Sequence, residues 1–118
     1  MERKQLEQKI LEVMRFWACG SKNAKAREFI LEKINEGLTD INKVTDRYFR
    51  DVYAEMSQEH LLGSCEEIGY FIIINEHDAY LADQSLLKKS VAIAIRRNRL
   101  YSLVRNKLHI DMQPELPL

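Results

Sequence analysis

The chain has 118 residues, 46% of them hydrophobic, with 18 basic and 18 acidic side chains, four glycines and two prolines. That length suits one domain with its own core, and the scarcity of glycine and proline excludes a low-complexity or disordered class. No apolar run reaches the roughly 18 residues that cross a bilayer, and the charged start MERKQLEQK leads into no signal core, so a cytoplasmic protein without a membrane partner is expected.

The first apolar pattern is Leu6, Ile10, Val13, Met14 and Trp17, spaced as one face of a helix that ends at Cys19-Gly20, with Trp17 read as core. Ser21 or Asn23 is placed to cap a second helix, whose apolar side is Ala26, Phe29, Ile30 and Ile34 and which stops near Asn35-Glu36-Gly37. The linker LTDINKV follows. Thr45, with Asp46 beside it, then opens a third helix with the stripe Phe49, Val52, Tyr53 and Met56, ending near Gln58.

The stretch LLGSCEEIGYFIII changes period. It reads as a hairpin with Glu66 and Glu67 at its tip, Tyr70 and Ile72 on one face and Phe71 and Ile73 on the other. A lone hairpin is only marginally stable, so one of these pairs must be buried against helices one and three. Asn75 or Asp78 starts a long helix to about Leu108, carrying two adjoining apolar rows, Leu86, Ile93, Leu100 and Leu87, Val91, Ala94. The fold class is therefore mainly α with a small β-hairpin. Three segments are expected: 1–75 as a helical domain with its hairpin, 76–110 as a long basic helix that packs on it or dimerises, and 111–118, DMQPELPL, as a flexible tail.

Charge is unevenly placed. Lys88, Lys89, Arg96, Arg97, Arg99, Arg105 and Lys107 lie between Gln84 and Ile110 with no acid among them, leaving 11 bases against 18 acids elsewhere. Two readings stay open: contact with nucleic acid or another anionic surface, and a solvated face paired with the acidic body. The breadth of the two apolar rows points to a homodimer through this C-terminal helix, against the alternative that it packs across its own domain.

The residues VTDRYFRDVYAEM followed by HLLGSCEEIGYFII resemble the winged helix-turn-helix proteins of bacteriophage and prophage genomes. The likeness rests on Gly63-Ser64 and Gly69-Tyr70-Phe71 and covers Leu6 to Ile74; the long helix resembles the appended helix found after the wing. It departs from the family in the extended INEGLTDINKV, where a tight connection between helices two and three is expected.

The resemblance implies a winged helix, three helices plus wing, that binds double-stranded DNA as a regulator or replication accessory, with helix three as recognition helix. Its outward residues are then Asp46, Arg47, Tyr48, Arg50 and Asp51. Arginine is the usual bidentate partner of guanine, which makes Arg47 the first choice for a base contact. Tyr48 is placed for a base or a phosphate, and Lys43, Thr45 and Lys22 for the backbone, with Lys88 and Lys89 as further phosphate contacts. The ordinary alternative is a surface helix carrying i,i+4 pairs Arg47–Asp51 and Arg50–Asp46. Glu66 and Glu67 argue against a wing that grips phosphate, and a protein-interaction module is the competing function.

Other chemistry has little support. His60, His77 and His109 are scattered without ligand spacing, Cys19 and Cys65 form no CxxC, and there is no Walker loop or GxGxxG, so neither a metal, a cofactor nor an enzymatic activity is expected.

Overall fold

The computed structural model describes residues 1–109; the expected tail, 111–118, lies outside them. Six regular elements follow in order: α1 (Arg3–Trp17), α2 (Arg27–Asn35), α3 (Asp46–Met56), β1 (Leu62–Cys65), β2 (Gly69–Ile72) and α4 (Glu76–Leu108), with single 3-10 turns at Ser21–Asn23 and Asp40–Asn42. The protein is mainly helical with one antiparallel hairpin, as its periodicities require. The chain divides into two compact units, Met1–Ser85 and Leu86–Leu118.

In the first unit the core is built from the apolar stripes of three helices: Leu6, Ile10, Val13 and Met14 of α1, Ile30 and Ile34 of α2, and Phe49, Val52, Tyr53 and Met56 of α3. All are at most 6% exposed, and burying each large side chain contributes about 1.5–3 kcal/mol before entropy is subtracted. Thr45 caps α3 by accepting a bond from the Tyr48 amide at 3.2 Å. The expected linker is an ordered connection. Asn35, the last residue of α2, donates through Nδ2 to the Val44 carbonyl at 3.0 Å and accepts the Val44 amide at 2.7 Å, pinning a buried valine next to the α3 cap.

The hairpin has register Leu62↔Ile72, Gly63↔Phe71, Ser64↔Tyr70 and Cys65↔Gly69, and it is buried on both faces. Leu62, Tyr70 and Ile72 pack on the helical core. Tyr70 meets α3 through Phe49 (ring centroids 5.8 Å) and Tyr53 (4.6 Å), and the Tyr53 hydroxyl donates to the Gly63 carbonyl at 2.8 Å, so hairpin and helix are locked in one orientation. Burial pushes the Tyr53 phenol well up from its ordinary value. On the opposite face Phe71 is fully buried, and a Cβ at Gly63 would meet Ala82 of α4 at 3.0 Å and the Phe71 ring at 3.2 Å. Both faces are thus satisfied, one by the three helices and one by the start of α4.

The loop between α1 and α2 departs from the expectation. Ser21 and Asn23 do not cap α2; they form the turn Ser21–Asn23, with Asn23 donating to the Cys19 carbonyl, and α2 begins at Arg27 after Ala26, which lacks a capping side chain. The backbone here is committed elsewhere. Ala18 accepts from the Ile72 amide (2.8 Å), Gly20 donates to the Ile72 carbonyl (3.0 Å), and Lys25 and Tyr70 exchange two bonds (3.0 and 2.8 Å), so this loop extends the hairpin along its β2 edge. Gly69, at φ +105°, permits that approach: a Cβ there would stand 2.3 Å from the Lys25 carbonyl oxygen.

One further expectation needs correction. Trp17 is not core; it is 37% exposed, because α1 stops there and its ring lies across Phe29 and Lys33. The first compact unit runs to Ser85 and so takes in the start of α4, where Asp78 (1% exposed) and Ser85 are buried. Asn75 starts α4, its Oδ1 accepting the Asp78 amide at 2.8 Å.

In the second unit, the helical residues from Leu86 onward expose Leu86 (66%), Ile93 (56%) and Leu100 (53%), together with Leu87, Val91, Leu103 and Leu108. Such a run of open apolar side chains is unusual on a protein surface.

Candidate functional site

The inner face of α3 is held by Phe49, Val52, Tyr53 and Met56, which leaves the opposite face of its first two turns open to solvent. Thr45, Arg47, Tyr48, Arg50 and Asp51 all lie there, and Lys43 stands just before the helix, so the structure brings six of the expected residues into one stretch. Arg47 and Asp51 are exposed and do not pair with each other, although their i,i+4 spacing permits it. Arg47 has no ion pair among the described residues. Tyr48 is 37% exposed. Thr45 accepts in the cap, which leaves its hydroxyl hydrogen available to an outside acceptor.

Arg50 is different. Its Nε lies 3.0 Å from one oxygen of Asp46, and Arg27 Nε of α2 stands 2.7 Å from the other, an ion pair without hydrogen-bond alignment. The Asp46 carboxylate, at the positive end of the α3 dipole, is therefore clamped by two arginines and fixes α3 against α2. Asp46 beside it raises the Arg27 guanidinium pKa further, and Arg27 in turn opposes the upward push that burial gives Tyr70. These groups are partly exposed, so the clamp orients more than it stabilises. Arg27 was missed in the sequence. It lies outside the reach of any i,i+4 rule, and nothing local marks it.

The remaining expected residues are spread out. Lys43 is engaged by Asp40 at 3.2 Å, and Lys22 is exposed in the turn Ser21–Asn23. Lys88 and Lys89 belong to the second unit, in a helical stretch whose charged side chains are all basic. The hairpin tip presents Glu66 and Glu67 to solvent. Beside the start of α3 runs a groove of about 700 Å³ lined by Arg27, Lys43 and Asp46, but also by Glu28 and Glu32 of α2 and by Glu36 just after it.

Among the described residues no group of three or more histidines, cysteines and acids could hold a metal, and no helix is long and apolar enough to cross a membrane. Cys19 and Cys65 are free thiols. In comparisons with known proteins, no family model, no curated protein and no solved structure matches this chain.

Proposed function

We propose that this is a winged helix protein that binds double-stranded DNA, with α3 as its recognition helix and the hairpin as its wing, acting as a regulator or replication accessory of phage or mobile-element type. The observation that carries the reading is the state of α3. Its inner face is locked by the hairpin and the other two helices, while Arg47 projects from its first turns without an internal partner. A rigid helix that presents an unengaged arginine and a tyrosine has the chemistry of base-edge readout. The packing of Leu62, Tyr70 and Ile72 over the three-helix core supports the wing assignment.

Phosphate neutralisation falls to the second unit. Residues 1–85 carry 11 bases against 16 acids, so the first unit alone repels the duplex, whereas the stretch with Lys88 and Lys89 has bases only. The exposed apolar rows of that same stretch support a homodimer through it, which would give two recognition helices to one site. Arg47→Ala tests the reading: it is expected to cost about 1–3 kcal/mol on a preferred sequence and much less on random duplex. Lys88→Ala with Lys89→Ala should instead weaken every sequence alike and flatten the salt dependence. Equal loss on all sequences from Arg47→Ala would overturn the recognition role.

A second reading has its own support. Glu66 and Glu67 at the wing tip and the acidic balance of the first unit favour a winged helix that docks a protein instead of DNA.

A further inference from the structure

The end of α1 carries a feature that the DNA reading does not use. Phe16 falls off the buried stripe and is 76% exposed, and Trp17 is 37% exposed beside it. The rings pack edge to face, Phe16 to Trp17 at 4.9 Å between centroids and Trp17 to Phe29 of α2 at 5.3 Å, forming one rigid aromatic ledge. Lys33 Nζ sits 5.0 Å from the Trp17 centroid and 5.4 Å from that of Phe29, and Lys25 Nζ is 5.7 Å from Phe29.

Next to the ledge is a cleft of about 470 Å³ whose lining includes Val13, Phe16 and Trp17, the cations Lys9, Arg15 and Lys33, and the acids Glu12 and Glu36. Lys9 reaches Glu12 and Lys33 reaches Glu36 only at 4.0 Å, the outer limit of an ion pair. Bases thus prevail locally on a unit that is acidic as a whole. Lys33 already caps the Trp17 ring, but the open Phe16 ring, with Lys9 and Arg15 also lining the cleft, matches a nucleobase stacked on a ring with its phosphate held nearby, an arrangement that needs no base-edge hydrogen bonds. The pairing is specific to a strand whose bases are free, because a duplex keeps its bases stacked on each other.

We infer that the Phe16–Trp17 ledge is a binding site for single-stranded nucleic acid: a base stacks on the Phe16 ring, beside Trp17, while Lys9, Arg15 and Lys33 hold the adjacent phosphates. This is a different surface from the outer face of α3 and stands independently of it.

Trp17 is the sole tryptophan of the chain, so its fluorescence reports the site directly. The test is titration of the full chain with a poly(dT) strand of roughly 12 nucleotides at low salt. Saturable quenching is expected. Phe16→Ala, which removes an exposed ring and spares the core, should weaken binding roughly 5- to 100-fold, with an unchanged circular dichroism spectrum confirming the fold. Lys33→Gln should weaken it and reduce the salt dependence, and an abasic strand of equal length should bind several-fold more weakly. Ile41→Ser, at a 95% exposed side chain outside both surfaces, should leave the titration unaltered. The inference is overturned if poly(dT) does not quench, if Phe16→Ala or the abasic strand binds as well as the reference, or if an acidic aromatic peptide quenches as strongly as the oligonucleotide, which would assign the ledge to a protein partner.

Discussion

Asp78 offers the sharpest test of how the first unit is held together. It is 1% exposed, and its carboxylate accepts the amides of Ser21 at 3.2 Å and Ile74 at 3.1 Å. One side chain therefore ties the α1–α2 loop, the exit from β2 and the start of α4. Burial by itself would raise its pKa, but interaction with Ser21 and with the Ile74 amide outweighs that and holds it below the ordinary 3.8. Replacing it by alanine removes two charge-assisted bonds, each about 1.5–3 kcal/mol, and leaves two amides unmet in a closed site; the expected loss is about 3–5 kcal/mol. For a unit of this size that lowers Tm by roughly 15–30 °C. Because the folded pKa is depressed, the stabilisation is complete above the unfolded value and disappears as the pH falls through the folded one. Urea unfolding of both proteins should show the full gap at neutral pH and a gap that narrows below about pH 4. An Asp78→Ala protein within about 1 kcal/mol of the parent, or a gap that does not change with acidification, would refute the argument.

Gly69→Ala should cost about 2–4 kcal/mol, since a side chain at φ +105° must displace the Lys25 carbonyl that accepts from Tyr70. Hydrogen exchange should speed up at the Lys25 and Tyr70 amides; unchanged protection there would contradict the edge pairing. Glu66→Lys with Glu67→Lys should strengthen duplex binding several-fold at low salt, and no change would place the hairpin tip away from the phosphates. Sedimentation at about 50 μM should find a dimer that Ile93→Lys with Leu100→Lys dissolves, while a monomeric parent would refute the apolar seam.

Much of this architecture was legible in the sequence. The cap at Thr45 and the stripe Phe49, Val52, Tyr53, Met56 are written in side chains and local spacing and formed as read, while the α4 start, open between Asn75 and Asp78, fell to Asn75. Less legible was whatever depends on backbone pairing across long separations. The Lys25–Tyr70 bridge leaves no side-chain pattern, so Ser21 and Asn23 looked like helix caps. Trp17 satisfied the three- and four-residue spacing of α1, yet a helix end places its last ring at the rim of the core, where Phe29 and Lys33 receive it. At the candidate site, Arg50–Asp46 formed as an ordinary surface pair and Arg47–Asp51 did not; spacing alone treats the two alike, and it gives no sign that Arg27 of α2 also reaches Asp46.

Binding of random duplex DNA to the full chain, measured at about 50 and 200 mM salt, tests the central claim most directly. The account predicts binding at the lower salt, a fall of at least tenfold at the higher, and enrichment from a random pool of a guanine-containing sequence that the Arg47→Ala protein no longer prefers. A parent protein that binds no duplex at low salt, and whose Glu66→Lys, Glu67→Lys variant is equally inert, would contradict it and leave the protein-docking function in its place.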